Sequence, residues 1–381
     1  MNQLTRDDLV QLLSAVFPHL EQDKNLAILV DVPNTPESDT ENWQTRRRIA
    51  GEWFQELKGD LNALNLEKLH LVAYASVDSN NADLPTSGCF IDSAVPDLSS
   101  DLKGESINFD DLFSTHQLLM APTQFSTTAP LKVAAKKHGF RAATMPGFSP
   151  KMIPALQIDY GIVNQRCQLV KGLLDEAEAV KVKFLVDGMD EYDVYFDTRF
   201  RPAHASGGRF PDSSTAGNLP SGETYIVPYE GEKGKISKTN GTLPVQLGDE
   251  VVLFNIESNN AVSVLSSGPA SEEHAAWLKR EPAYGNMAEL GFGILADFGL
   301  QPIDEILLDE KLAFHVAFGR SDHFGGDTGP DKFSSPSAVV HIDRIYSPMM
   351  QPRISVVSID LIAKNNENNR ILQNDKYLIF S

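Results

Sequence analysis

Two unbroken apolar runs, LAILVDV (Leu26 to Val32) and LHLVAYASV (Leu69 to Val77), most constrain what this chain can fold into. A strand with one wet face alternates apolar and polar residues, whereas a run without alternation must be covered on both faces. Between the two runs, from about residue 42 to 57, Ile49, Trp53 and Leu57 recur at helical spacing. Buried strand, helix, buried strand is the pattern of a parallel pair joined by a crossover. The alternation continues. HQLLMAPT leads into TAPLKVAAKKHG, a strand and then a helix stopped at Gly139, and FRAATMPG adds another strand. MNQLTRDDLVQLL predicts an amphipathic helix with Thr5 as its N-cap and acids in the first turn. A last helix is expected from Asn164 to Val180.

From about Val182 the pattern changes. KVKFLVDG, YDVYFDTRF, ETYIVPYEG, EVVLFNIE and AVSVLSSG read as strands separated by turns. RISVVSIDLIAK and DKYLIFS flank NNENN and predict a closing hairpin. The expected class is therefore α/β: a parallel α/β domain over residues 1–180, then a β-rich α+β domain over 181–381. With 381 residues, each half is long enough for its own core.

The net charge is −19, from 33 basic and 52 acidic residues, and such a surface repels nucleic acid and anionic lipid. The basic cluster Arg46-Arg47-Arg48 falls in the helical stretch and is expected on a solvated face. Two cysteines, Cys89 and Cys167, give no disulfide framework and suit a reducing compartment. The N-terminus lacks the charged-then-apolar pattern of a signal peptide, and no apolar stretch is long enough to span a bilayer. A cytoplasmic protein without nucleic-acid or membrane partners is expected.

Four segments of the second half carry metal-type ligands beside glycine or proline. In SAVVHIDRIY, Val339, Val340, Ile342 and Ile345 suit a half-buried strand. His341 and Asp343 then share one face, their attachment points roughly 6.6 Å apart along the strand. In GNLPSGETYIVPYEG, Glu223 follows a Pro-Ser-Gly turn and opens a strand. In YGNMAELGFG, Glu289 precedes Gly291 and Gly293. In LLDEKLAFHVAFGRSDHFGG, His315 sits inside an apolar run. Each has an ordinary alternative: a turn cap or arginine partner for Glu223, an exposed helix face for Glu289, a satisfied core position for His315, solvation for His341 and Asp343. The glycines of GFGILADFG match a phosphate loop poorly, because no clear strand precedes them.

Together the four segments resemble the aminopeptidase T and aminopeptidase S type of metallopeptidase, through LPSGE, NMAELGFG, DEKLAFHVAFG and VVHID. The resemblance covers roughly residues 215 to 345, and DEK stands where that family has DEN. It implies Glu223, Glu289, His315, His341 and Asp343 as metal ligands, with Glu289 bridging two ions. It further implies a hydrolase in which two divalent ions, zinc, cobalt or manganese, activate water against the carbonyl of a small peptide or amide. A homodimer is also implied.

One departure concerns the loop after His315. Where the family has a tyrosine, this chain has Asp322, followed by His323. His323 could act as donor or general acid, and Asp322 could become an added ligand; solvation of both is the alternative. A second feature, RFRPAHASGGRFP, gathers Arg199, Arg201, His204 and Arg209, which could bind a substrate carboxylate or form a surface loop. The chain is also similar to the 2,5-dihydroxypyridine ring-cleaving dioxygenases, which hold one Fe(II) with two histidines and a carboxylate. His315 with His341 and Asp343 could compose such a triad. A binding protein that has lost activity is the third reading.

Overall fold

The computed structural model describes residues 3–92 and 94–380. The chain forms two compact units, Met1–Asn164 with Gly208–Ser221, and Gln165–Gly207 with Gly222–Ser381.

The first unit is built on a seven-stranded sheet. In spatial order its strands are Thr215–Asn218, Arg141–Thr144, Leu118–Ala121, Asn25–Val32, Lys68–Ala75, Ser87–Ile91 and Ser106–Asn108. The first five run parallel, Ser87–Ile91 runs antiparallel to them, and Ser106–Asn108 is antiparallel to Ser87–Ile91 in turn. Both apolar runs lie at the centre, and Asn25–Val32 is buried over seven of its eight residues, as a strand covered on both faces must be. The helix Arg6–Val16 opens on a reciprocal cap: the Thr5 hydroxyl accepts from the Asp8 amide, and the Asp8 carboxylate accepts from the Thr5 amide. Gly139, at φ 87°, ends the helix Thr128–His138.

Two expectations for these elements are corrected. In the helix Glu41–Lys58, Arg46 and Arg47 are buried rather than solvated. Arg46 donates to the Phe148 carbonyl and Gln124, and Arg47 forms a two-point pair with Asp39. Arg46 lies three residues from both Trp43 and Ile49, and Arg47 four from Trp43 and three from Ala50, which puts both on the packed side of the helix. The last helix runs over Tyr160–Glu176, and the residues from Ala177 to Val180 already belong to the strand Ala177–Val186. That strand pairs along its length with Ile354–Ala363, and this pairing overrides local helix preference.

The second unit holds two antiparallel sheets. The larger has eight strands, in the order Asn260–Val264, Glu250–Glu257, Asn240–Leu247, Asp190–Asp197, Ala177–Val186, Ile354–Ala363, Asn368–Gln373 and Lys376–Tyr377. The smaller has five: His341–Ile345, Phe314–Gly319, Met287–Gly293, Glu223–Ile226 and His204–Ser206. One core joins them, with Val182, Phe184, Phe254 and Ile359 of the larger sheet among Leu290, Phe292, Val316 and Phe318 of the smaller. The closing hairpin exists, but its second arm is Asn368–Gln373, and DKYLIFS contributes only the short strand Lys376–Tyr377. The asparagine-rich turn is thus shorter than NNENN, which lends its last asparagine residues to the returning strand.

The fold is an α/β domain followed by a β-rich domain. Among the described residues no helix is long and apolar enough to cross a membrane.

Candidate metal centre

The five-stranded sheet has one apolar face and one face built of acids, imidazoles and very small residues. Leu290, Phe292, Phe314, Val316 and Phe318 point into the core. The alternate positions on the same strands are Glu289, Gly291 and Gly293, then His315, Ala317 and Gly319. Strand pairing sets them in rows. Glu289 faces Ala317, which on its other side faces Asp343; Gly291 faces His315; Gly319 faces His341; Glu223 faces Gly293.

A register shift between Met287 and Glu289 makes this arrangement possible. Without an extra residue there, Met287 and Glu289 would share a face. With it, Met287 joins Leu290 and Phe292 in the core while Glu289 turns to the polar side. Gly291 is required by contact. A Cβ there would lie 1.9 Å from Nε2 of His315, whose ring lies across the glycine.

The five side chains expected from the sequence converge. Their ligand atoms fall into two groups whose members lie within 4.8 Å of one another: Glu223, Glu289 and His315, and Glu289, His341 and Asp343. Glu289 belongs to both. Its Oε1 lies 3.7 Å from Nε2 of His315 and its Oε2 lies 3.2 Å from Nε2 of His341. Nε2 of His341 is also 3.4 Å from Oδ1 of Asp343, and Nε2 of His315 is 3.8 Å from Oε2 of Glu223. That Glu223 oxygen is buried without a hydrogen-bond partner. At the far side of its ring, His341 donates from Nδ1 to the Arg320 carbonyl at 2.7 Å, which fixes the ring and turns Nε2 toward the acids.

The electrostatics follow from this crowding. Burial pushes the Glu289 carboxyl up, but hydrogen bonds and charges from His315 and His341 outweigh it and hold the group down at about 2. Burial works against charge on the imidazoles, yet Glu289 and Asp343 lift His315 to about 9 and His341 to about 11. In the metal-free protein, protons on the imidazoles therefore supply positive charge among the acids. A set of two imidazole nitrogens and three carboxylates, three of the five residues buried and one carboxylate oxygen left unpaired, is a donor set that a divalent cation fits.

The centre contains a residue that sequence reasoning passed over. Lys311 is almost fully buried, its Nζ 2.5 Å from Oε1 of Glu223 and in contact with Glu310. Burial alone would lower its pKa, but Glu223 and Glu310 raise it well above the ordinary value. The departure DEK in the sequence was the available signal. Tyr225 is a second such residue. It lies two positions after Glu223 on the same strand face, and its ring packs between His204 and Phe324. Phe324 and His323 in turn stand against His341, with ring centroids 5.3 and 5.1 Å away.

The loop residues differ from one another. His323 borders the centre through His341, and burial together with the His341 and Arg320 charges lowers its pKa to about 4, leaving it neutral. Asp322 is held by Arg320 at 2.5 Å. Of the arginine-rich stretch, Arg199 is paired with Asp197, and Arg201 with Glu230 and Glu232. Arg209 belongs to the other unit.

No family model matches this chain, and no curated protein matches it. Solved structures do. The 2,5-dihydroxypyridine dioxygenase from Pseudomonas putida KT2440 superposes with a TM-score of 0.61 at 15% identity, over 99% of this chain and 98% of that one. Wild-type AmpT from Thermus thermophilus superposes with a TM-score of 0.54 at 12% identity, over 98% of this chain and 99% of that one. At such identities the likeness shows a shared fold, end to end, with both.

Proposed function

We propose that the protein is a metal-dependent hydrolase that cleaves a peptide or amide bond of a small substrate, with Glu223, Glu289, His315, His341 and Asp343 as ligands of two divalent ions. The observation that carries this reading is the division of Glu289, whose two oxygens face two different histidines, each with a further acid beside it. Such a shared carboxylate suits two cations. When bound, the ions would supply Lewis acidity and lower the pKa of a water to about 7. The chain's own residues would fix that chemistry in place. Glu289 ties the two halves together, and the Arg320 carbonyl orients His341. His341 and Asp343, with side chains 18% and 10% exposed, form the open side through which substrate enters, while His315, 1% exposed, closes the other. His323, neutral beside His341, is placed to donate a hydrogen bond to the substrate oxygen.

The likeness to AmpT supports a hydrolase, and the likeness to the dioxygenase supports the one-iron alternative. The geometry favours the first. A triad of His315, His341 and Asp343 is neither of the two groups that converge. The family resemblance also supports a homodimer, to be checked by light scattering.

The test is elemental analysis of the purified protein beside a screen of aminoacyl amides with and without chelator. Metal-dependent release of the amine is expected. Loss of a ligand shared by both ions should exceed the roughly 10–100-fold cost of losing an outer partner, so Glu289→Gln should reduce the rate more than about 100-fold. Unchanged hydrolysis in Glu289→Gln, or a single iron with oxygen uptake, would overturn the assignment.

A further inference from the structure

Gly293 and Glu223 are cross-strand partners, and the missing side chain of Gly293 is occupied by passing main chain. A Cβ on Gly293 would lie 2.5 Å from the Lys311 carbonyl carbon and 2.6 Å from the Ala313 nitrogen. The turn after the short helix Ile306–Asp309 therefore crosses directly over this strand. It is fastened there by the Leu295 amide, which donates to the Lys311 carbonyl at 2.9 Å. Asp309 accepts from the Ile303 and Glu305 amides at the other end of that helix and so ties down the segment that leads into it. The consequence is that the Lys311 side chain is delivered, buried, onto Oε1 of Glu223.

That contact makes the two halves of the centre unlike. In the half formed by Glu289, His341 and Asp343, the acids face imidazole, and no lysine or arginine is paired with them among the described residues. In the half formed by Glu223, Glu289 and His315, one carboxylate oxygen is already held by an ammonium group. Only Oε2 of Glu223 remains unpaired. A fixed positive charge beside a site for a cation weakens that site, strongly so where water is scarce.

We propose that Lys311 is a positioning residue that sets the order of metal loading: the first divalent ion takes the Glu289–His341–Asp343 half, and the second takes the Glu223–Glu289–His315 half only at higher concentration. The lysine does so by holding Glu223 to a single free oxygen and by opposing the second cation with its own charge. The inference rests on the two-ion reading above. It adds that the resting protein in a metal-poor solution carries one ion, so that hydrolytic competence follows the concentration of free metal.

The test uses the full-length protein, stripped of metal and titrated with cobalt(II), followed by calorimetry and by the visible absorption of the bound ion. The wild type should show two steps whose dissociation constants differ by at least about tenfold, as expected for a unit charge close to one half. Asp343→Asn should weaken the first step, and Glu223→Gln the second. Lys311→Met should tighten the second step and leave the first. Because that change strands Glu310 without its partner, the double variant Lys311→Met/Glu310→Gln is made beside it and checked for cooperative unfolding. Narrowing of the gap in the folded double variant supports the proposal. Two equal steps in the wild type, or a gap unchanged in the folded double variant, would overturn it while leaving the two-ion reading intact. Absence of any cobalt binding would overturn both.

Discussion

At the scale of single residues, the centre depends as much on what is missing as on what is present. The polar face of the five-stranded sheet carries the five clustered acids and imidazoles, and the positions between them are Gly291, Gly293, Ala317 and Gly319. These keep the floor of the site low, so that side chains from neighbouring strands lie over it. Gly291 gives the sharpest case. A methyl group there would meet Cε1 of His315 at 2.0 Å and Nε2 at 1.9 Å, so Gly291→Ala must displace the imidazole. We expect Gly291→Ala to cost about 1–3 kcal/mol of stability, the usual range for overpacking a tight site. It should also weaken the second step of the cobalt titration more than the first, because His315 belongs to that half alone. Equal weakening of both steps would show instead that the clash is relieved by moving the strand, and with it Glu289.

At the scale of elements, the sequence was most legible where one signal acted by itself. Thr5 with Asp8 is a cap wherever it occurs, and a run such as LAILVDV leaves little choice but a covered strand. His341 and Asp343 were readable as neighbours because a strand places alternate side chains together, and their contact of 3.4 Å follows. Legibility failed where tertiary partners decide. Nothing local in Arg46 announces Phe148, about a hundred residues on, and nothing in the helical spacing of Arg47 announces that the chain just before the helix folds Asp39 back onto it. The NNRILQ strand is polar at its start and acquires its role only by pairing with Ile354–Ala363. Lys311 was hidden for the same reason, since its meaning comes from Glu223. The pair of histidines in the first unit was equally invisible. His116 ends the short helix Phe109–Thr115, its ring nitrogens spent on the Leu112 carbonyl and on His70, 2.7 Å away. Nδ1 of His116 donates to the carbonyl, so its Nε2 accepts from Nδ1 of His70, and in this arrangement the His116 ring is neutral. Burial lowers the His116 pKa from 6.5 to about 4. Between those values the unfolded chain binds more protons than the folded one. Stability should therefore rise with pH across that window and fall by as much as about 3 kcal/mol on acidification through it. Urea unfolding at several pH values should show this slope, and His116→Gln should flatten it. An identical slope in the variant would place the acid sensitivity elsewhere.

At the scale of the whole molecule, the question is how a chain of net charge −19 tolerates buried carboxylates in one place. Glu223 and Glu289 are nearly inaccessible to solvent, and Asp343 is little more open. Without a cation they are balanced by Lys311 and by protons on His315 and His341. That balance is costly, because protons are held on a buried and a half-buried imidazole that burial alone would keep neutral. A divalent ion bound there would replace those protons, and Glu223 Oε2, buried without a hydrogen-bond partner, would pair with it. The side chains that would hold it come from four strands that are together only in the folded chain, so binding would be coupled to folding and the unfolded state would compete weakly. At a metal concentration one hundred times the dissociation constant, the gain should be about 2.7 kcal/mol. For domains of this size that corresponds to a rise in melting temperature of roughly 5–10 °C. Calorimetry of the stripped protein with added zinc or cobalt should show the rise, and excess chelator should reverse it. Glu289→Gln should abolish it, since both halves lose a ligand at once. Magnesium at the same concentration should stabilise far less, because it dehydrates reluctantly and prefers oxygen over the two imidazoles. A melting temperature indifferent to zinc and cobalt in the wild type would mean that the five side chains are balanced by lysine and protons alone, and that the cluster they form is not a metal centre.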